Sequence, residues 1–246
     1  MGKLMPPLLE ICVADPAGVD EAVAGGADRL ELCTGLEGGG LTPSAALIDR
    51  AVASGLPVHV LVRPRFGGFV LDDGEADLVV ADVRAALSRG AAGVVVGALR
   101  PDGRLDRDRL ARFREAARDG VAVLHRAIDL AVDPVAAVDE ACALGFDKVL
   151  SSGGAASAPE GAATLARMVE AAGKRLSVIA AAGVRPDNVS ALVAATGVGE
   201  VHSSASRIEP EPDERTARFG FGDTRRRTDR TVVAALRAMV SKGERV

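Results

Sequence analysis

Short runs rich in Val, Ile and Leu recur along the chain, separated by longer stretches in which apolar and polar positions alternate at helical spacing. Eight such runs lie at 8–13, 29–34, 58–63, 93–98, 121–127, 148–152, 176–181 and 200–204. The alternation predicts parallel strands joined by helices. Pro stands near the expected first helical turn in Asp15-Pro16, Thr42-Pro43, Asp133-Pro134 and Arg185-Pro186-Asp187, where its missing N–H costs nothing. Gly25-Gly26, Gly55, Gly90, Gly120, Gly145, Gly173 and Gly197 fall where helices should stop. Eight βα units over about 200 residues, with no glycine-rich dinucleotide turn after the first strand, fit an α/β fold of the (β/α)8 barrel type. The expected organisation is a single domain, 1–246, with barrel strands and helices over 8–206.

Residues 207–227 break the rhythm. Charged, Pro-punctuated and aperiodic, they are expected to form a long loop over the barrel mouth or at a subunit contact, before a final helix over 228–242. Arg225-Arg226-Arg227 reads as a solvated patch. The net charge of −4 and the pI near 5.5 leave no footprint for nucleic acid or an anionic membrane. Six Phe with neither Tyr nor Trp give few surfaces for stacking bases or sugars. The first residues carry neither a signal-peptide apolar region nor a spanning helix, so a cytoplasmic location is expected. Three cysteines make no disulfide framework there and are expected as free thiols, metal ligands or core.

Barrel chemistry is built at the C-terminal ends of the strands. The first two strands repeat Glu-x-Cys: Glu10 with Cys12, and Glu31 with Cys33. Strand alternation puts each pair on one face, and the inner face spares the carboxylates from being pressed against helices. Two inward thiols on neighbouring strands, about 4.8 Å apart, can share one ion. Such a pair suits soft Cu(I), while zinc would need two more ligands from among His59, His125 and His202. Buried thiols also serve as plain core, the role expected of Cys142 on its helix.

Other polar residues gather at the same end: Arg63 and Arg65; His125, Arg126 and Asp129; Ser152; Gly183; His202, Ser203 and Ser204. Inward Glu10, Glu31, Arg63 and Arg126 predict a charged layer that must pair internally. A second reading follows, that of an enzyme or binder for a small phosphate or carboxylate. In it, Arg63 or Arg126 clamps the anion, His125 or a Glu moves a proton, and Arg65, Ser152, Gly183, His202, Ser203 and Ser204 line the site. Lys148 sits at the closed end, which disfavours a Schiff-base aldolase.

The ordered set Glu10-Ile11-Cys12, Gly26-Ala27-Asp28-Arg29-Leu30-Glu31-Leu32-Cys33, Gly38-Gly39-Gly40-Leu41-Thr42-Pro43-Ser44, Arg63-Pro64-Arg65, His125-Arg126-Ala127-Ile128-Asp129 and Val201-His202-Ser203-Ser204-Ala205 resembles the CutC family of copper homeostasis proteins. The resemblance implies a cytosolic TIM barrel that forms homodimers or higher homo-oligomers, takes part in copper tolerance or trafficking, and binds Cu(I) through Cys12 and Cys33. After Arg65 the chain reads Gly67-Gly68-Phe69-Val70-Leu71, lacking the acid and tyrosine of the family pattern.

Overall fold

The structure, a computed structural model, describes residues 6–242. Eight parallel strands close a barrel in sequence order: β1 (Leu8–Val13), β2 (Arg29–Leu32), β3 (Val58–Leu61), β4 (Gly93–Val96), β5 (Val121–Leu124), β6 (Lys148–Ser151), β7 (Ser177–Ala180) and β8 (Glu200–Ser203). Pairing of Leu8 with Glu200 and of Glu10 with His202 joins the last strand to the first, so no edge is left open. The helices are α1 (Pro16–Gly25), α2 (Ala45–Val52), α3 (Asp73–Ser88), α4 (Arg107–Ala117), α5 (Pro134–Ala143), α6 (Ala162–Ala172), α7 (Val189–Thr196), the short α8 (Glu214–Arg218) and α9 (Arg230–Lys242).

The local signals act through identifiable bonds. Asp15 and Asp133 cap α1 and α5 by accepting from backbone N–H groups, with Pro16 and Pro134 in the first turn. Pro43 and Pro186 stand just ahead of their helices, whose caps are Ser44 and Asn188. At Gly26 the backbone turns left-handed, φ 88°, and its N–H closes the end of α1. Gly25 serves a different purpose: a Cβ there would lie 2.5 Å from Cβ of Val233. Its absence lets α9 pack directly on α1 as the helix that completes the ring.

Two apolar clusters follow from strand alternation. Outward residues such as Ile11, Leu30, Val60, Val94 and Leu124 meet the helices, while Cys12, Cys33, Leu61, Val95, Val123, Leu150, Ile179 and Ala181 fill the barrel itself. Beyond β8 the structure departs from the expected long loop. Residues 206–228 form an antiparallel hairpin, β9 (Ser206–Pro210) with β10 (Thr224–Thr228), and α8 lies between its strands. Its register sets Arg225 against Glu209 and Arg227 against Arg207. Exposed on nearly every face, this ribbon has no apolar periodicity to betray it in the sequence.

Candidate functional site

Alternate residues of the first two strands point into the barrel: Glu10 and Cys12 from β1, then Arg29, Glu31 and, one residue past β2, Cys33. The register pairs Glu10 with Arg29 and Cys12 with Glu31. Arg29 donates from Nε to Glu10 Oε2 and from Nη2 to Glu200 Oε2, each at 2.5 Å, and Lys148 closes the group by pairing with Glu200. Glu10 also receives His202 Nδ1 at 2.8 Å on its other oxygen, Oε1, and His59 Nδ1 lies 3.4 Å from Oε2. Burial would raise the Glu10 carboxyl's pKa, but His202, His59 and Arg29 outweigh it and hold that pKa well below the usual carboxylate range. His202 is shifted the other way: burial disfavours its charge, yet Glu31 and Glu10 raise its affinity for the proton.

The charged layer is therefore present, but its cations are Arg29 and Lys148 rather than Arg63 and Arg126. The signal lay in the alternation itself. Reading two residues back from Glu31 along the same face reaches Arg29, and two back from His202 reaches Glu200.

Above this layer sit the thiols. Cys12 Sγ and Cys33 Sγ are 3.6 Å apart, and both residues are buried. Cys33 meets its partner because its backbone N–H donates to Val13 O at 3.0 Å, carrying the ladder one step beyond β2. The Gly38-Gly39-Gly40 turn then wraps over it. At Gly40, φ 84°, a Cβ would come within 2.5 Å of Leu61 Cδ2 and 3.2 Å of Cys33 Cβ, so glycine alone lets the chain close there. Cys12 also contacts Glu31 Oε1 at 3.8 Å. Its hydrogen bond with Cys33, its burial and the nearby carboxylates push the Cys12 thiol's pKa well above its ordinary value. Ligand atoms of Cys12, Glu31 and His202 lie within 4.8 Å of one another.

Glu31 Oε2 is buried without a hydrogen-bond partner. Burial, reinforced by the negative Glu10 and opposed by His202, pushes its pKa up to about 7. A carboxyl raised in the folded state stabilises the fold below its unfolded pKa and loses that advantage as pH rises through about 7. Glu31→Gln, which cannot ionise, is therefore expected to stabilise the metal-free protein by a few kcal/mol at pH 8 and hardly at all at pH 4.5, measured by urea unfolding. An equal gain at both pH values would contradict this.

The mouth above the thiols is a cavity of about 770 Å³. His125, Arg126, Gly183, His202, Ser203 and Ser204 line it, as the sequence suggests. So do Phe69, Arg185 and Arg226, which sequence reasoning did not assign to a site. Arg226 comes from β10, so the hairpin reaches the opening, while Arg225, Arg226 and Arg227 are all exposed, as expected of a solvated patch.

Several expected roles change. Arg63 is buried and makes no bond to Glu10 or Glu31. Its guanidinium donates to the carbonyls of Gly38, Gly40 and Gly67 at 3.0, 3.1 and 2.6 Å. Asp129 is consumed as a knot between β5 and β6, accepting from the Ser152 backbone, both serine hydroxyls of Ser151 and Ser152, and Arg126. Ser152 is fully buried in that knot, outside the cavity lining. Arg65 turns away to pair with Glu75 and to hold the carbonyls of Phe66, Gly68 and Val70. His125 accepts the Ala127 N–H on Nδ1 at 3.1 Å. Burial and then Arg63 lower its pKa to about 3, so the ring is neutral and unsuited to act as the proton carrier at neutral pH. His202 Nδ1 lies 3.8 Å from Glu31 Oε2.

A family model matches residues 7–207, that of the CutC family. A CutC family protein of Agrobacterium fabrum (strain C58) is 47% identical over 241 residues, 97% of this chain and 96% of the relative. One from Sinorhizobium medicae is 44% identical, covering 94% of this chain and 95% of the relative. Among solved structures, the protein assigned as copper homeostasis protein CutC from Streptococcus agalactiae superposes with a TM-score of 0.76 at 28% identity, covering 80% of this chain and 98% of that one.

Proposed function

The chain belongs to the CutC family, and from that premise we propose that it acts in copper homeostasis by holding one Cu(I) between the thiolates of Cys12 and Cys33. The observation that carries the reading is the 3.6 Å separation of the two sulfurs in the barrel mouth. Metal–thiolate bonds run to about 2.3 Å, so a linear pair would span about 4.6 Å. A linear pair would need the sulfurs to separate by about 1 Å, whereas a bent pair would need a third donor. His202 is the neighbour whose softness suits copper, whereas the hard Glu31 carboxylate does not. Glu10 would then act behind it, fixing the orientation of the His202 ring through Nδ1.

Holding the ion requires thiolates, and the Cys12 thiol keeps its proton at neutral pH. Binding must displace that proton. Cu(I) titrated against a competing chelator is expected to bind at one equivalent, with affinity rising about tenfold per pH unit for each thiol proton displaced between pH 6 and 8. No binding at one equivalent, a pH-independent affinity, or tighter retention of Zn(II) than of Cu(I) would overturn the reading. In cells the protein is expected to act in the cytoplasm, where a reducing medium keeps both thiols free. It is expected to do so as a homo-oligomer, which its mass in solution checks.

A further inference from the structure

A single ion does not need a chamber of about 770 Å³, which is the size of a small-metabolite pocket. The charges around it are one-sided. Arg63, Arg126, Arg185 and Arg226 line the cavity, against Glu31 and Asp187. Arg126 is compensated by Asp129 at 2.8 Å, but among the described residues Arg63, Arg185 and Arg226 form no ion pair with a carboxylate. Arg63 is the telling case. It is only 8% exposed, and its Nε is buried without a partner. Three backbone carbonyls and the face of Phe69, 5.1 Å from its Cζ, fix the guanidinium without neutralising it. A buried cation with no counter-charge is costly, and an anion in the adjoining space would offset that cost. Below the arginines the lining turns apolar, with Leu36, Leu61, Leu150 and Ala181.

We propose that the barrel mouth binds a small organic phosphate monoester, its phosphate drawn to the uncompensated Arg63, Arg185 and Arg226 and its carbon body resting on the apolar floor. A phosphate presents three acceptor oxygens on one centre to converging guanidinium forks, which the separated carboxylates of a dicarboxylate do not. The flanking arginine from the β9–β10 hairpin ties that ribbon to ligand binding. This site does not depend on copper, so it can be probed in a metal-free sample.

The test is calorimetric titration of the copper-free full chain, in the presence of a chelator, with glycerol 3-phosphate, inorganic phosphate and malonate, each against sodium chloride at matched ionic strength. Glycerol 3-phosphate is expected to bind saturably at one site, and more tightly than malonate. Arg226→Ala, at an exposed position, is expected to weaken it at least fivefold, and Arg63→Gln at least tenfold. Should Arg63→Gln fail to fold, a crystal of the unaltered protein soaked in glycerol 3-phosphate is expected to show the phosphate in the mouth beside Arg63. No saturable binding, tighter binding of malonate, unchanged affinity in Arg226→Ala, or a phosphate seated outside the cavity would overturn the proposal.

Discussion

Arg29→Leu is expected to cost the barrel about 3–5 kcal/mol, the range for removing one partner of a buried ionic group. Arg29 bridges Glu10 and Glu200 from the first position of β2, and both carboxylates remain in the barrel when it is gone. Glu10 is 1% exposed. With Arg29 absent, its pKa must climb from its depressed value, leaving the His202 and His59 rings to support the carboxylate. The loss has a defined pH dependence. A carboxyl depressed in the folded state stabilises above its unfolded pKa, and that contribution vanishes as pH falls through its folded pKa. The deficit of Arg29→Leu is therefore expected to be largest near pH 7 and to shrink in acid, read from urea unfolding at a series of pH values. A variant as stable as the parent at pH 7 would show that the charged layer is not needed to hold the barrel's lower end.

Cys12→Ser combined with Cys33→Ser is expected to lower Cu(I) affinity at least about 1,000-fold, roughly 4 kcal/mol, while leaving the fold in place. Serine replaces each soft sulfur with a hard oxygen of smaller size in a cluster closed by Leu61, Val95 and Ile179. The hydroxyls can still bond to each other and to Glu31, so the expected change in unfolding temperature is small beside the change in affinity. Each single variant keeps one thiolate and His202, and is expected to fall between parent and double variant. Affinity of the double variant equal to that of the parent would place the copper elsewhere.

Periodicity made the architecture legible because it arises from one constraint: strands buried on both faces must be apolar, and helices between them must present one apolar side. It also brought out the Glu-x-Cys repeat, since a polar residue on such a strand has nowhere inexpensive to go. It did not reveal the partners. Arg29 stands at a strand's first residue, where an arginine is usually taken for a solvated edge, and only the closing of β8 onto β1 shows that Glu200 waits across from it. Arg63 looked like a counter-ion to the glutamates because its sign was right. The Gly38-Gly39-Gly40 turn, distant in sequence, supplies the carbonyls that it bonds instead. Asp129 and Ser152 looked exposed to the mouth because they follow strand ends, yet they bond to each other and to Ser151, Arg126, Gly154 and Ala155 instead. The hairpin over 206–228 escaped because its strands face solvent on both sides and leave no hydrophobic trace.

The sulfur pair is the feature on which the functional reading turns, and X-ray absorption at the copper edge of the Cu(I)-loaded protein interrogates it directly. Two sulfur neighbours at about 2.3 Å with one imidazole nitrogen are predicted, and both sulfurs should vanish from the spectrum of the double serine variant. A shell of nitrogen and oxygen alone, or sulfur scattering that persists when Cys12 and Cys33 are gone, would contradict it.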